Sequence, residues 1–205
     1  MSLSVPALDL SPGRILCLHV PHGFHAAADA LEQDLLHLTR RQGQTAILCR
    51  PAGFESRFGD PAWMRVAGWF SRLTRGHPRR RGLNSQASTE WLSRTAGISK
   101  EESARIISGL GERVADKVDY NAGTPRCLLG IAAALVRKPE LVIYSTVALD
   151  PQGCWKVHGC VAAKCSHLYV IHISYPSGYG DGTPYPRDCP PGAQCITLAA
   201  VAGHG

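Results

Sequence analysis

Long hydrophobic runs are missing from this chain. No apolar stretch among its 205 residues approaches the ~18 that a membrane-crossing helix requires. The first residues also lack a basic segment leading into an apolar one, so the sequence predicts a cytoplasmic protein that does not span a bilayer. No Ser-His-Asp set on a nucleophile elbow, no paired-carboxylate signature and no stacking-aromatic nucleic-acid motif is present, which removes the usual routes to hydrolase chemistry and base recognition. Standard zinc spacing is absent as well. Cys154, Cys160 and Cys165 leave gaps that match no common finger or ribbon, so helix packing is the expectation for them.

What is present is a chain of single-domain length, 1–205, large enough to bury roughly 70% of its unfolded surface. Its net charge of +6 is concentrated in Arg72, Arg75, Arg79, Arg80 and Arg81, and a local basic patch implies a local partner rather than general nucleic-acid affinity. Among eight cysteines, Cys17, Cys49, Cys127 and Cys160 fall inside apparent helices or strands, which predicts reduced core thiols. Cys189 and Cys195 bracket Pro-Pro-Gly-Ala-Gln, and whether they pair is left open by spacing alone.

In chain order, residues 1–12 predict an arm or an edge strand, and 14–20 an apolar strand followed by a Pro-His-Gly turn and a helix over about 26–42. A second strand covers 45–49. Phe54, Phe58, Trp63, Trp69 and Phe70 then crowd a segment whose helix begins after Asp60-Pro61; it is a core face or an exposed aromatic groove for a partner. Arg75 to Gly82 is a solvated loop by composition. Ser88 to Ala96 predicts a helix closed by Gly97, and Ser99 with Glu102 forms a capping box opening a helix with Ile106, Leu110, Val114 and Val118 on one face. Gly123-Thr124-Pro125 leads into a further helix with Leu128, Ile131, Ala132 and Leu135 on one face, and Pro139 ends it. Strands follow over 141–145, 168–173 and 195–201, with a helix over 154–165 and an irregular Pro/Gly-rich segment over 174–194. Helices alternating with buried apolar runs predict a three-layer α/β fold with a mostly parallel sheet.

The segment Arg126 to Pro151 resembles the part of ABC-type ATPases that runs from the signature helix through a basic-basic-Pro-Glu-Leu link into the Walker B strand and an Ala-Leu-Asp-Pro D-loop. The resemblance covers roughly residues 13–173. It implies a P-loop-NTPase-like ABC ATPase core, a reduced helical subdomain over about 61–122 and little of the family's N-terminal antiparallel subdomain. It also implies which positions should carry chemistry. Asn121, Ala122, Gly123 and Thr124 stand where the LSGGQ signature would be, with only the glycine kept. Along the phosphate loop, Pro21 and Gly23 match beside His22, but His25 replaces a glycine and Ala26 and Ala27 replace the phosphate lysine and the magnesium hydroxyl. Ser145 and Thr146 stand where an aspartate and a glutamate would hold Mg²⁺ and act as base, and a hydroxyl cannot do a carboxylate's work there. Asp150 takes the D-loop position and His172 that of the switch histidine, while no glutamine lies between Gln44 and Gln86 to sense a γ-phosphate.

The resulting expectation is a non-catalytic ABC-ATPase-like subunit, without ATPase activity or cofactor, that acts in protein contact. Its partner would be an active ATPase, a second copy, or a membrane or filament assembly, with peripheral membrane association through that partner. The candidate partner surface is Phe54, Phe58, Trp63 and Trp69 with Arg75, Arg79, Arg80 and Arg81. Two alternatives stay open. His19, His22 and His25 could bind a metal or serve new chemistry, and Arg75 to Arg81 could bind nucleic acid.

Overall fold

Short apolar runs become strands wherever both of their faces can be covered. The computed structural model describes residues 2–4, 8–21, 30–37, 45–52, 86–146, 149–174 and 189–201. In chain order the elements are β1 (Ser2–Ser4), β2 (Ile15–His19), a helical segment at 30–37, β3 (Ala46–Cys49), α1 (Ser88–Ala96), α2 (Lys100–Ser108), a 3-10 turn (Val118–Tyr120), α3 (Gly123–Val136), β4 (Leu141–Ser145), α4 (Pro151–Lys164), β5 (Tyr169–Ser174), β6 (Gln194–Thr197) and β7 (Ala199–Val201). The chain divides into two compact units, Met1–Cys49 with Arg137–Gly205, and Arg50–Val136.

In the first unit five strands form one sheet, ordered β3-β4-β5-β2-β6, and every pair is parallel. Side chains alternate along a strand, so the register decides the layers. Leu16, Leu18, Ala46, Leu141, Ile143, Ile171 and Ile173 share one face and form a buried cluster with Leu31, Leu35 and Leu36 of the helical segment. Each such leucine or isoleucine contributes about 1.5 to 3 kcal/mol on burial. Cys17, Tyr144 and His172 take the other face, where the rings of Tyr144 and His172 meet His158 of α4. Helix, sheet and helix make the three layers that the apolar pattern predicts.

The last strand, expected over 195–201, divides at Leu198. That residue buries its side chain in the sheet's cluster and donates its N–H to the His19 carbonyl at 2.9 Å. Beyond it β7 turns to pair antiparallel with β1 in a separate two-stranded ribbon.

The described part of the second unit is mostly helical. Gly97, at φ 73°, closes α1 by donating its N–H to the Ser93 carbonyl, a left-handed position suited to glycine. The Ser99 side chain caps α2 by accepting from the Glu102 N–H at 3.1 Å. The helix stops at Ser108, so Leu110, Val114 and Val118 do not continue its face as their spacing suggests. Gly109 takes the C-cap, Gly111 adopts φ 68°, and Val118 sits in the 3-10 turn. In α3 burial runs all round from Cys127 to Ala134, not along one stripe. Small residues permit that closeness: a β-carbon on Gly130 would lie 2.0 Å from the Arg50 carbonyl oxygen.

Gly130→Ala should therefore destabilise the protein by about 1 to 3 kcal/mol, since backbone cannot yield as a side chain can. Gly159 in α4 has nothing within 4 Å of that position, so Gly159→Ala should stabilise by about 0.5 to 1 kcal/mol. Urea denaturation of the two variants checks both signs.

Candidate functional site

In open parallel sheets ligands approach the carboxyl ends of the strands. Here that edge is set by His19 on β2, Ser145 and Thr146 on β4, and Ser174 on β5. Just inside it lies His172, fully buried, on the face shared with Cys17 and Tyr144. Its Nδ1 is 3.3 Å from the Cys17 Sγ and its Nε2 is 3.1 Å from the Thr146 Oγ1. Next to it the Tyr144 hydroxyl and His158 Nδ1 share a hydrogen bond of 2.9 Å. The two imidazoles meet edge to face with centroids 4.7 Å apart, and Tyr144 lies 4.8 Å from the His172 ring.

Burial dictates the charge of this cluster. It holds His172 well below its ordinary pKa, with the neighbouring His158 and His19 adding to the effect. Burial also lowers His158 to about 4. Tyr144 is raised well above its usual value, again chiefly by burial and then by nearby thiols. At neutral pH the Tyr144 phenol and the His158 and His172 imidazoles are thus uncharged. Such groups orient one another, but none supplies the negative charge that a hard divalent cation requires.

The other candidate positions are placed as follows. Asp150 is the N-cap of α4, its carboxylate accepting from the Gly153 N–H at 2.8 Å. Asn121 is buried: Oδ1 accepts from the Ala115 N–H at 2.7 Å, and Nδ2 donates to the Lys117 carbonyl at 2.9 Å and toward the Ser88 hydroxyl at 3.3 Å. It ties the 115–118 loop to the start of α1. Ala122 and Gly123 are exposed at the head of α3, with Thr124 half-buried behind them. His22, Gly23, His25, Ala26, Ala27, Phe54, Phe58, Trp63, Trp69, Arg75, Arg79, Arg80 and Arg81 lie outside the described residues. His19 has its Nε2 3.8 Å from the Cys17 Sγ, so its nearest described ligand-type neighbour is a thiol. Cys189 and Cys195 are joined as a disulfide.

Cys17, Tyr144 and His158 were not singled out by sequence, although each belongs to the cluster. The available signal is the alternation Cys17-x-His19 on a strand, which puts both on one face; the partners from β4, β5 and α4 needed the register.

Both the layering and the strand order define a P-loop NTPase fold of the ABC ATPase type. An ABC transporter ATP-binding protein of Pyrococcus furiosus superposes with a TM-score of 0.57 at 13% identity, covering 96% of this chain and 94% of that one. CbiO1 of Clostridium perfringens, part of the ABC transporter complex CbiONQ, gives a TM-score of 0.47 at 12% identity over 82% of this chain and 69% of its own. In sequence, the linearmycin resistance ATP-binding protein LnrL of Bacillus subtilis (strain 168) is 40% identical over 63 residues, which span 29% of this chain and 20% of that protein. No protein-family model matches the sequence. No helix among the described residues is long and apolar enough to cross a membrane.

Two expected outcomes follow from these contacts. Asn121→Ala strands a buried N–H and a carbonyl and should cost about 1 to 3 kcal/mol, read as a lowered melting temperature. For His158 the unfolded side chain titrates near 6.5 and the folded one at about 4, so between those values the unfolded chain binds more protons. Stability is then full above about pH 6.5 and falls toward pH 4, with a slope approaching about 1.4 kcal/mol per pH unit. Urea midpoints across that range should show the fall, and His158→Phe should make it shallower, leaving the part that His172, also held below its ordinary value, contributes.

Proposed function

We propose that this chain is a non-catalytic ABC-ATPase-like subunit, a structural or regulatory protein-interaction component of a larger, membrane-associated assembly. The observation that carries the reading is the end of β4. On the resemblance, Ser145 and Thr146 stand where ABC-type ATPases carry carboxylates, and the Thr146 hydroxyl bonds to a buried His172 that is held neutral. Charge-assisted contacts to phosphate or metal are worth about 1.5 to 3 kcal/mol each. Losing two of them weakens Mg·ATP by roughly 10² to 10⁴-fold, and Ala26 and Ala27 in the phosphate loop remove more. With nucleotide chemistry gone and topology kept, protein contact is what the fold can still offer.

The partner is an active ATPase, a second copy of this chain, or a membrane or filament assembly; LnrL and the Pyrococcus furiosus protein carry names that place them in transport or resistance systems. The contact surface on this reading is Phe54, Phe58, Trp63 and Trp69 with Arg75, Arg79, Arg80 and Arg81, residue types enriched at binding hot spots. Calorimetry should detect no Mg·ATP binding tighter than about 1 mM, and micromolar binding or turnover by the isolated chain overturns the non-catalytic role. Tagged chain should capture a partner from cells of the source organism, and Arg79→Glu with Arg80→Glu should weaken that capture most at low salt. Equal capture by the variant and the native chain would remove the arginine surface.

A further inference from the structure

The parallel pairing of β6 with β2 sets Cys195 directly opposite Cys17, and His19, two residues along β2, shares that face. Cys189 is brought to the same place by its bond to Cys195. The four ligand atoms, three Sγ and one imidazole nitrogen, all lie within 4.8 Å of one another. From these positions we propose a second state of the protein, in which Cys17, His19, Cys189 and Cys195 hold one Zn²⁺ once the Cys189–Cys195 disulfide has been reduced. This ligand set shares only His19 with the three-histidine grouping that the loop spacing suggests.

The geometry is close to what zinc takes. Zn–S bonds of about 2.3 Å and Zn–N bonds of about 2.0 to 2.1 Å in a tetrahedron place ligand atoms about 3.5 to 3.8 Å apart. Cys17 Sγ and His19 Nε2, at 3.8 Å, already have that separation, and the widest pair needs to close by about 1 Å. Three soft thiolates and an imidazole select zinc over magnesium or calcium. Two ligands sit on a core strand, with Cys17 and His19 both buried, while Cys189 is half-buried and Cys195 exposed. The buried pair fixes the position and the exposed pair is where a reductant and the ion can enter. An outer-shell donor is also in place. When Cys17 is a thiolate, His172 Nδ1, 3.3 Å away, donates its N–H to the sulfur, and the Thr146 hydroxyl donates to Nε2 and holds that tautomer.

The conversion balances with a dithiol as reductant. The dithiol gives two electrons and closes its own disulfide; the Cys189–Cys195 bond breaks and the two protons of the dithiol end on the Cys189 and Cys195 sulfurs. Zn²⁺ then displaces the thiol protons of Cys17, Cys189 and Cys195 to solvent, and neutral His19 supplies a lone pair, leaving a site of net charge −1. Oxidation reverses the sequence and expels the metal.

The test uses Co²⁺ as a spectroscopic stand-in for Zn²⁺ on the full chain. After reduction by dithiothreitol and its anaerobic removal, one equivalent of Co²⁺ should give thiolate-to-cobalt charge-transfer absorption and the intense visible bands of a tetrahedral site. One equivalent of Zn²⁺ should abolish both, and the oxidised chain should show neither. Cys195→Ser, at an exposed position, should lose the charge-transfer band, and Cys17→Ser should do the same. A reduced chain without that band, or a band that persists unchanged in Cys195→Ser, overturns the proposal.

Discussion

Strand β5 is hydrogen-bonded on both sides, by β4 and β2, and has a helix over each face. From Val170 to Ser174 it is buried, so the polar groups of that stretch have to be satisfied by protein. Its one imidazole, His172, obeys by bonding Cys17 on one neighbouring strand and Thr146 at the end of the other. A charge there would cost several kcal/mol, which is why the group is held neutral. The same pressure acts on Tyr144 and His158, so the inner side of the strand ends is a closed, uncharged hydrogen-bonded cluster.

Position within the sheet grades that constraint. β6 lies at an edge, and its cysteine is exposed while the one opposite it on β2 is buried. One register pair thus joins a sheltered sulfur to one that solvent oxidants, reductants and metals can reach. Cys165, the C-cap of α4, is by contrast buried, and burial raises its thiol to about 11, which keeps it protonated and unreactive at neutral pH.

The helical unit depends on smaller devices. Gly130 lets α3 meet the Arg50–Pro51 backbone, and Asn121 satisfies a loop that has no ladder of its own. The asparagine at the head of α3, in the stretch that resembles a nucleotide-binding signature, is oriented inward by three backbone and side-chain partners.

By itself the sequence determined the strand positions, the parallel α/β class and the helix boundaries marked by Gly97, Ser99 and Pro139, because apolar runs, glycines, prolines and caps act within a few residues of where they stand. It also held Ser145 and Thr146 at the end of β4, which are matters of residue type. Helix α2 was overestimated, since periodic spacing at Leu110 and Val118 says nothing of the glycines that break the backbone between them. The sheet order, the division of the last strand at Leu198 and the company of His172 were decided only by the tertiary structure. Strand pairing joins residues as far apart as Cys17 and His172, and Cys17 and Cys195, and no local preference encodes which strand lies beside which. That choice comes from burying both faces of the inner strands at once, and it is what set the Cys17 thiol beside the buried His172.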